Sequence, residues 1–128
     1  MAGVKLDGAG IQKMKTLEEA VTHVQRLHGI VEHYALALKR KQPTMNFSMQ
    51  IKRLLPPLVG LLKGQFGLIA DQVAALHLIA SRGSNEATRI RVLREGIGSI
   101  RQSLDIAGVR VKEHHAEKAD APGAESVG

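Results

Sequence analysis

Apolar residues recur at alternating steps of three and four through the last part of the chain, and this spacing constrains the fold more than any other feature. The pattern comprises Ile90, Leu93, Ile97, Ile100, Leu104, Ala107 and Val111. Because such steps place side chains on one face of an α-helix, the pattern predicts a helix that packs against other helices. Hydrophobic residues are 44% of the chain and aromatic residues only 2%, so aliphatic side chains are expected to form the core.

Two earlier segments carry the same spacing. The first predicts a helix over about residues 17–41, beginning at a capping box formed by Thr16 and Glu19. Its apolar face would comprise Leu17, Val21, Val24, His28, Val31, Ala35 and Leu38. The second predicts a helix over residues 57–82, which Gly83 would end, with Ser84 or Asn85 as the next N-cap. Its face would comprise Leu58, Leu62, Phe66, Ile69, Val73, Leu76 and Ala80.

A shorter helix is predicted between these two, beginning near Thr44 or Asn46 and running towards Pro56 and Pro57. A proline inside a helix costs about 3 kcal/mol, whereas one in the first turn costs little. The chain therefore either stops before the prolines and restarts at the second one, or forms one kinked helix. Since short connections favour antiparallel neighbours, the predicted fold is an all-α antiparallel four-helix bundle with a short or kinked second helix and disordered termini.

The predicted bundle spans residues 16–113, after a flexible segment over residues 1–15 and before a disordered acidic tail over residues 114–128. Residues 113–128 hold one Lys and four Asp or Glu residues, with little to bury. The tail would promote solubility or transiently mask basic surface. The N-terminal residues lack the apolar stretch of a signal peptide, and the apolar window over residues 54–80 contains charges and prolines. We therefore expect a cytoplasmic protein with no membrane segment.

The sequence offers no recognisable catalytic, cofactor or metal site, and the prediction is a non-enzymatic protein. The absence of cysteine rules out disulfides, thiolate zinc sites and cysteine nucleophiles. His23, His28 and His33 are five residues apart, whereas metal-binding histidines on one helix face lie three or four apart. The stretch from Gly60 to Gly64 is similar to a histidine-phosphotransfer signature but has glycine where the phosphorylated histidine is needed.

Charge is the feature that indicates a partner. The net charge is +6, and residues 1–112 hold 17 Lys and Arg against 8 Asp and Glu residues. Basic side chains spread over helices neutralise phosphates, and the planar guanidinium suits phosphate well. The predicted nucleic-acid-binding residues are Lys39, Arg40, Lys41, Lys52, Arg53, Arg89, Arg91, Arg94, Arg101 and Arg110. Because so few aromatic residues are present for base stacking, we expect RNA or DNA to be bound through its backbone, without sequence preference.

Two alternatives stay open at the level of the sequence. The basic residues could form an ordinary solvated face, or belong to a helical adaptor or assembly scaffold that binds an acidic protein. Within the last helix, Gly96, Gly98 and Gly108 would permit either close approach of another helix or an interface between protomers.

The stretch Gln50-Ile51-Lys52-Arg53, followed by an aliphatic run with prolines and then Gly64, resembles a known motif. It is similar to the Gln-Ile-Arg-Arg…Pro…Gly stretch of the small four-helix proteins encoded within ribosomal RNA intervening sequences. Their relatives include the accessory variability determinant of diversity-generating retroelements. The similarity covers about residues 20–110 in helix order, and the sequence departs from the pattern in proline spacing and before Gly64.

This resemblance implies a four-helix protomer that assembles into a homo-oligomer, a pentameric barrel. It further implies binding of nucleic acid through a basic surface and docking on a reverse transcriptase. Lys52 and Arg53 would carry the basic role of the matched motif. The assignment of the other basic residues comes from the charge pattern of this chain and not from the family.

Overall fold

The protein is a four-helix bundle, as the sequence predicted. The computed structural model describes residues 5–82 and 85–116, which form α1 (Gly8–Lys39), α2 (Met45–Lys63), α3 (Gly67–Ser81) and α4 (Glu86–His114). Each helix packs against the next one in the chain, and α1 also packs against α4, so the four helices close into a ring of antiparallel neighbours. Within the described ranges there is no strand, only an isolated bridge between Leu6 and Ala116.

The core is aliphatic, as expected from the composition, and all four helices contribute to it. The predicted stripe of α4 is confirmed, since six of its seven residues are buried and Ala107 is half-buried. On α1 the prediction was partly wrong, because His28 is exposed and the buried stripe passes through Leu27 and Tyr34 instead. Burial of each Val, Leu or Ile side chain stabilises the bundle by about 1.5–3 kcal/mol.

The first helix begins earlier than the capping box predicted. Asp7 is its N-cap, and the Asp7 Oδ1 accepts a hydrogen bond of 2.7 Å from the Gly10 amide. Thr16 lies inside the helix, where its hydroxyl donates to the Gln12 carbonyl at 3.2 Å, so it caps nothing. Residues 8–15, which were predicted to be flexible, therefore form the first turns of α1. The Asp7 amide donates to the His115 carbonyl at 2.9 Å, which ties this start to the end of α4.

The two adjacent prolines do not end α2. Of the two predicted alternatives, the restart at the second proline is wrong, because one helix continues through Pro56 and Pro57 to Lys63. The predicted helix over residues 57–82 is divided at residues 64–66. Residues 64–66 form a turn, and α3 begins at Gly67. Both prolines are exposed, so neither ring occupies the core. With 15 residues, α3 rather than α2 is the shortest of the four helices described.

The start of α4 confirms one of its two predicted caps. The Asn85 Oδ1 accepts a hydrogen bond of 2.7 Å from the Thr88 amide. The predicted helix stop at Gly83 and the alternative cap at Ser84 lie outside the described residues, as do residues 117–128 of the predicted tail. Across the described ranges, no helix combines the length and apolar character needed to cross a membrane.

Candidate nucleic-acid interface

One end of the bundle carries most of the net positive charge of the described residues. We call it the basic end: residues 32–53, Arg82 and residues 85–95, where α1 finishes, α2 starts, α3 finishes and α4 starts. These residues include nine Lys or Arg and three Glu, a net charge of +6, whereas the other described residues hold eight Lys or Arg against six Asp or Glu, a net charge of +2. Antiparallel packing brings the segments together, and Lys52 of α2 and Arg89 of α4 line the same surface groove.

A hydrogen-bond network around Glu86 holds this end in shape. The Glu86 Oε2 accepts hydrogen bonds from the Tyr34 hydroxyl, at 2.9 Å, and from the Thr44 hydroxyl. These two bonds, that of Thr44 first, lower the pKa of Glu86, because they favour the charged carboxylate. Burial is the main cause that raises the pKa of Tyr34. The network fastens α1, the turn before α2 and the first turn of α4 to one another.

An aromatic pair supports the same network. The rings of Tyr34 and Phe47 stack with their centroids 6.4 Å apart and an angle of 13° between their planes. Tyr34 is fully buried, so its ring fills the core between α1 and α2 while its hydroxyl reaches Glu86. The Glu86 network and this aromatic pair therefore hold together the helices that carry the basic side chains.

Three of the predicted binding residues have partners within the protein. Arg89 donates to the Tyr34 hydroxyl at 3.4 Å and to the Arg82 carbonyl at 3.2 Å, so it braces the Glu86 network. Arg94 makes a two-pronged contact with Glu32, with both N···O distances at 2.8 Å. The Arg101 Nε lies 3.6 Å from the Asp105 Oδ1. These arginines are less available to a ligand than a sequence pattern suggests.

The Arg94–Glu32 pair is nevertheless open to competition. Its side chains are 48% and 40% exposed, and exposed pairs contribute only about 0–1 kcal/mol. Hydrogen bonding to Arg94 is the main cause that lowers the pKa of Glu32, so the carboxylate stays charged. An incoming phosphate would therefore have to exchange with a charged but weakly held partner.

Six predicted residues form the outward part of the basic end. They are Lys39, Arg40, Lys41, Lys52, Arg53 and Arg91; Lys52 is half-buried and the others are exposed. No acidic partner contacts any of them among residues 5–82 and 85–116. Because opposite charges within the fold do not neutralise these cations, they can interact with an anionic ligand.

The turn after α1 presents three of these cations together. Lys41 has a left-handed backbone with φ of 57°, which is unusual for a residue other than glycine. The Gln42 amide donates to the Ala37 carbonyl at 2.8 Å, and the Lys41 amide to the Leu38 carbonyl at 3.1 Å. These bonds close the end of α1 as a glycine-type cap would. Lysine at this position adds a charge at the cost of backbone strain.

The structure adds one residue to the basic end and separates two from it. Arg82 is an exposed cation directly after α3, and the short connection to α4 was the signal that could have identified it. Arg101 lies midway along α4, and Arg110 lies near its far end. The ten predicted residues therefore do not form one continuous surface.

Comparison with known proteins found no matching family model, no matching curated protein and no matching solved structure. The resemblance to the ribosomal intervening-sequence proteins accordingly stays a prediction. Among the described residues no group of three or more His, Asp or Glu side chains is arranged to hold a metal ion.

Proposed function

We propose that this chain is a non-enzymatic, cytoplasmic accessory protein that binds RNA or DNA through the basic end. The observation that carries the proposal is the net charge of +6 on one end of the bundle, against +2 on all the other described residues together. Six outward cations at this end lack an acidic partner in the described part of the chain. Recognition would depend on phosphate charge and on the shape of the backbone, because the described part of this end exposes no Phe, Tyr or Trp ring for base stacking.

The proposal makes a quantitative claim about salt. Each phosphate that a protein neutralises on duplex DNA contributes about −0.9 to the slope of log K against log salt concentration. If all six outward cations contact phosphates, the expected slope is about −5. The contribution of Arg94 would be smaller, because phosphate would first have to displace Glu32.

Fluorescence anisotropy with a labelled mixed-sequence duplex and a labelled structured RNA tests this claim. Affinity should be strong at low salt, fall steeply as salt is added, and vary little with sequence. Absence of binding to both probes at low salt would contradict the proposal and leave the acidic-protein adaptor as the better function.

One observation favours that second function. Met45 is 74% exposed and lies with Met49 and Lys52 in an open groove of about 440 Å³ beside Arg89. Methionine adapts to irregular apolar partners, and a groove that combines methionine with cations suits an acidic amphipathic helix. Binding of such a peptide, without binding of nucleic acid at low salt, would support the adaptor.

The outer face of α3 supports a homo-oligomer. Leu78 is 60% exposed and Ile79 is 43% exposed, and both lie in the last turn of α3 outside the core. Neighbouring exposed apolar side chains mark interaction surfaces. Light scattering at micromolar concentration should therefore detect an assembly, whereas a pure monomer would contradict this part of the proposal. The pentamer and the reverse-transcriptase partner depend on the family resemblance alone.

A further inference from the structure

A second surface feature lies at the opposite end of the bundle from the basic end. There the turn between α2 and α3 and the first turns of α3 face the last turns of α4 across an open cleft of about 470 Å³. Its apolar walls are Phe66, Leu68, Ile69, Ile106, Ala107 and Val111. The volume falls within the range of about 300–1,000 Å³ that is typical of small-molecule sites.

The formally charged side chains that line this cleft among the described residues are both cations, Lys13 and Arg110. Lys13, Arg110, His114 and His115 line it together with Gln65, Gln72 and Ser103, and no carboxylate lines it within the described ranges. Arg110 is exposed and has no ion-pair partner in the same part of the chain. The cleft therefore combines an apolar wall with cations at its edge.

The position of the Lys13 ammonium is set by a chain of contacts. The Lys13 Nζ lies 3.2 Å from the His115 Nε2, and the His115 Nδ1 lies 3.2 Å from the Asp7 Oδ1. Because an ammonium group only donates hydrogen bonds, the His115 Nε2 accepts and the Nδ1–H donates to Asp7. Asp7 lies behind His115 and does not line the cleft, so it orients the ring without neutralising Lys13 directly.

We infer that this cleft binds a small single-chain amphiphile with a carboxylate head group. The apolar chain would lie between Leu68 of α3 and Ile106 of α4, two large side chains that the fold leaves exposed. The carboxylate would contact Arg110 and Lys13, where it would receive charge-assisted hydrogen bonds. A cationic or uncharged amphiphile of the same length would gain the apolar contact but lack this pairing. The inference is independent of nucleic-acid binding at the basic end.

The test is a calorimetric titration of the full chain with decanoate and, separately, with decyltrimethylammonium, each kept below micelle formation. Decanoate should bind at least about tenfold more tightly, since a charge-assisted hydrogen bond contributes about 1.5–3 kcal/mol. Arg110→Gln should remove most of that preference. Leu68→Glu should abolish binding of decanoate by placing a carboxylate at the mouth of the cleft, and the large exposure of Leu68 makes the fold insensitive to this change.

Three outcomes would overturn the inference. The first is equal affinity of the protein for the two amphiphiles. The second is that Leu68→Glu binds decanoate as tightly as the original chain does. The third is that decanoate gives no heat of binding and that Leu68→Glu converts an oligomer into a monomer. The last outcome would show that the cleft is an interface between copies of the chain. Circular dichroism of each variant checks that the helices are intact. Because Leu68 and Arg110 lie away from the basic end, both variants should keep the salt dependence of nucleic-acid binding. A failure of amphiphile binding can therefore be told apart from a failure of the proposed function.

Discussion

Replacing Gly96 with alanine tests how α3 and α4 pack. A Cβ atom added at Gly96 would lie 2.6 Å from the Leu76 Cδ1, 3.0 Å from its Cδ2 and 3.3 Å from its Cγ. Leu76 is only 4% exposed, so its side chain has little room to move away. Gly98 stands two positions further on the same helix, and a Cβ atom there would meet nothing within 4 Å. The two glycines therefore form a matched pair.

The expected changes in the free energy of unfolding have opposite signs. Alanine in place of glycine stabilises a helix interior by up to about 1 kcal/mol, and Gly98→Ala should realise most of this gain. At Gly96 the same gain is opposed by an overpacking cost of about 1–3 kcal/mol. Gly96→Ala should therefore destabilise the protein by up to about 2 kcal/mol, combining those two magnitudes.

Urea denaturation of both variants measures this difference. Leu76→Ala should lower the free energy of unfolding by less in the Gly96→Ala variant than in the original chain. The reason is that alanine at position 76 relieves the contact with the new Cβ atom at position 96. If Gly96→Ala stabilises the protein as much as Gly98→Ala does, the close approach of α3 to α4 is contradicted. A change of oligomeric state in Gly98→Ala would favour the alternative in which these glycines lie between protomers.

Two further predictions concern the basic end. Glu86→Gln should destabilise the protein by about 1–2 kcal/mol in thermal or urea unfolding at neutral pH, because it removes the charged acceptor of Tyr34 and Thr44. Since the pKa of Glu86 is lowered in the folded state from its ordinary value of 4.5, its contribution is present above pH 4.5 and is lost as the pH falls through the folded value. The Gln variant should therefore lose less stability on acidification than the original chain, and an unchanged acid dependence would contradict the network. Lys41→Gly should raise stability by about 0.5–1 kcal/mol, because glycine adopts the left-handed backbone of this turn without strain. The same change should also make the slope of log K against log salt concentration for nucleic acid shallower by about 0.9. If Lys41→Gly instead lowers the stability of the protein, the backbone of Lys41 is not strained.

The helix positions that the sequence predicted correctly are those where local pattern and tertiary packing agree. The stripe of α4 has no interruption in its spacing and a strong cap at Asn85, and both are confirmed. The start of α1 was missed because a stretch rich in glycine and small residues suggests a flexible segment. Asp7 and His115 stabilise it through a contact between the two ends of the described chain, which no local pattern reveals.

The double proline shows how packing overrides a local signal. The sequence gives each proline a cost of about 3 kcal/mol in a helix interior. Yet α2 buries Ile51 and Leu55 before the prolines and Leu58 and Leu62 after them, on one continuous face. The four buried side chains together contribute about 6–12 kcal/mol, which offsets a cost of about 6 kcal/mol for the two prolines.

The candidate site was predictable in its residue types but not in its grouping. Lys39, Arg40 and Arg53 were identified from charge, and antiparallel topology brings them to one end. The pairing of Arg94 with Glu32 joins residues that are 62 positions apart, so no local pattern could reveal it. The brace from Arg89 to Tyr34 is equally remote in sequence.

The central claim is that the unpaired cations of the basic end, and not the overall charge of the chain, bind nucleic acid. Two variants with the same total charge test it directly. One replaces Lys39, Arg40, Arg53 and Arg91 with glutamine, and the other replaces Lys15, Arg26, Lys63 and Lys112, which are also exposed but lie elsewhere. The measurement is the slope of log K against log salt concentration for a mixed-sequence DNA duplex. We predict that the first variant reduces the slope by about 3–4 and that the second leaves it nearly unchanged. Equal reductions in both variants would contradict the claim.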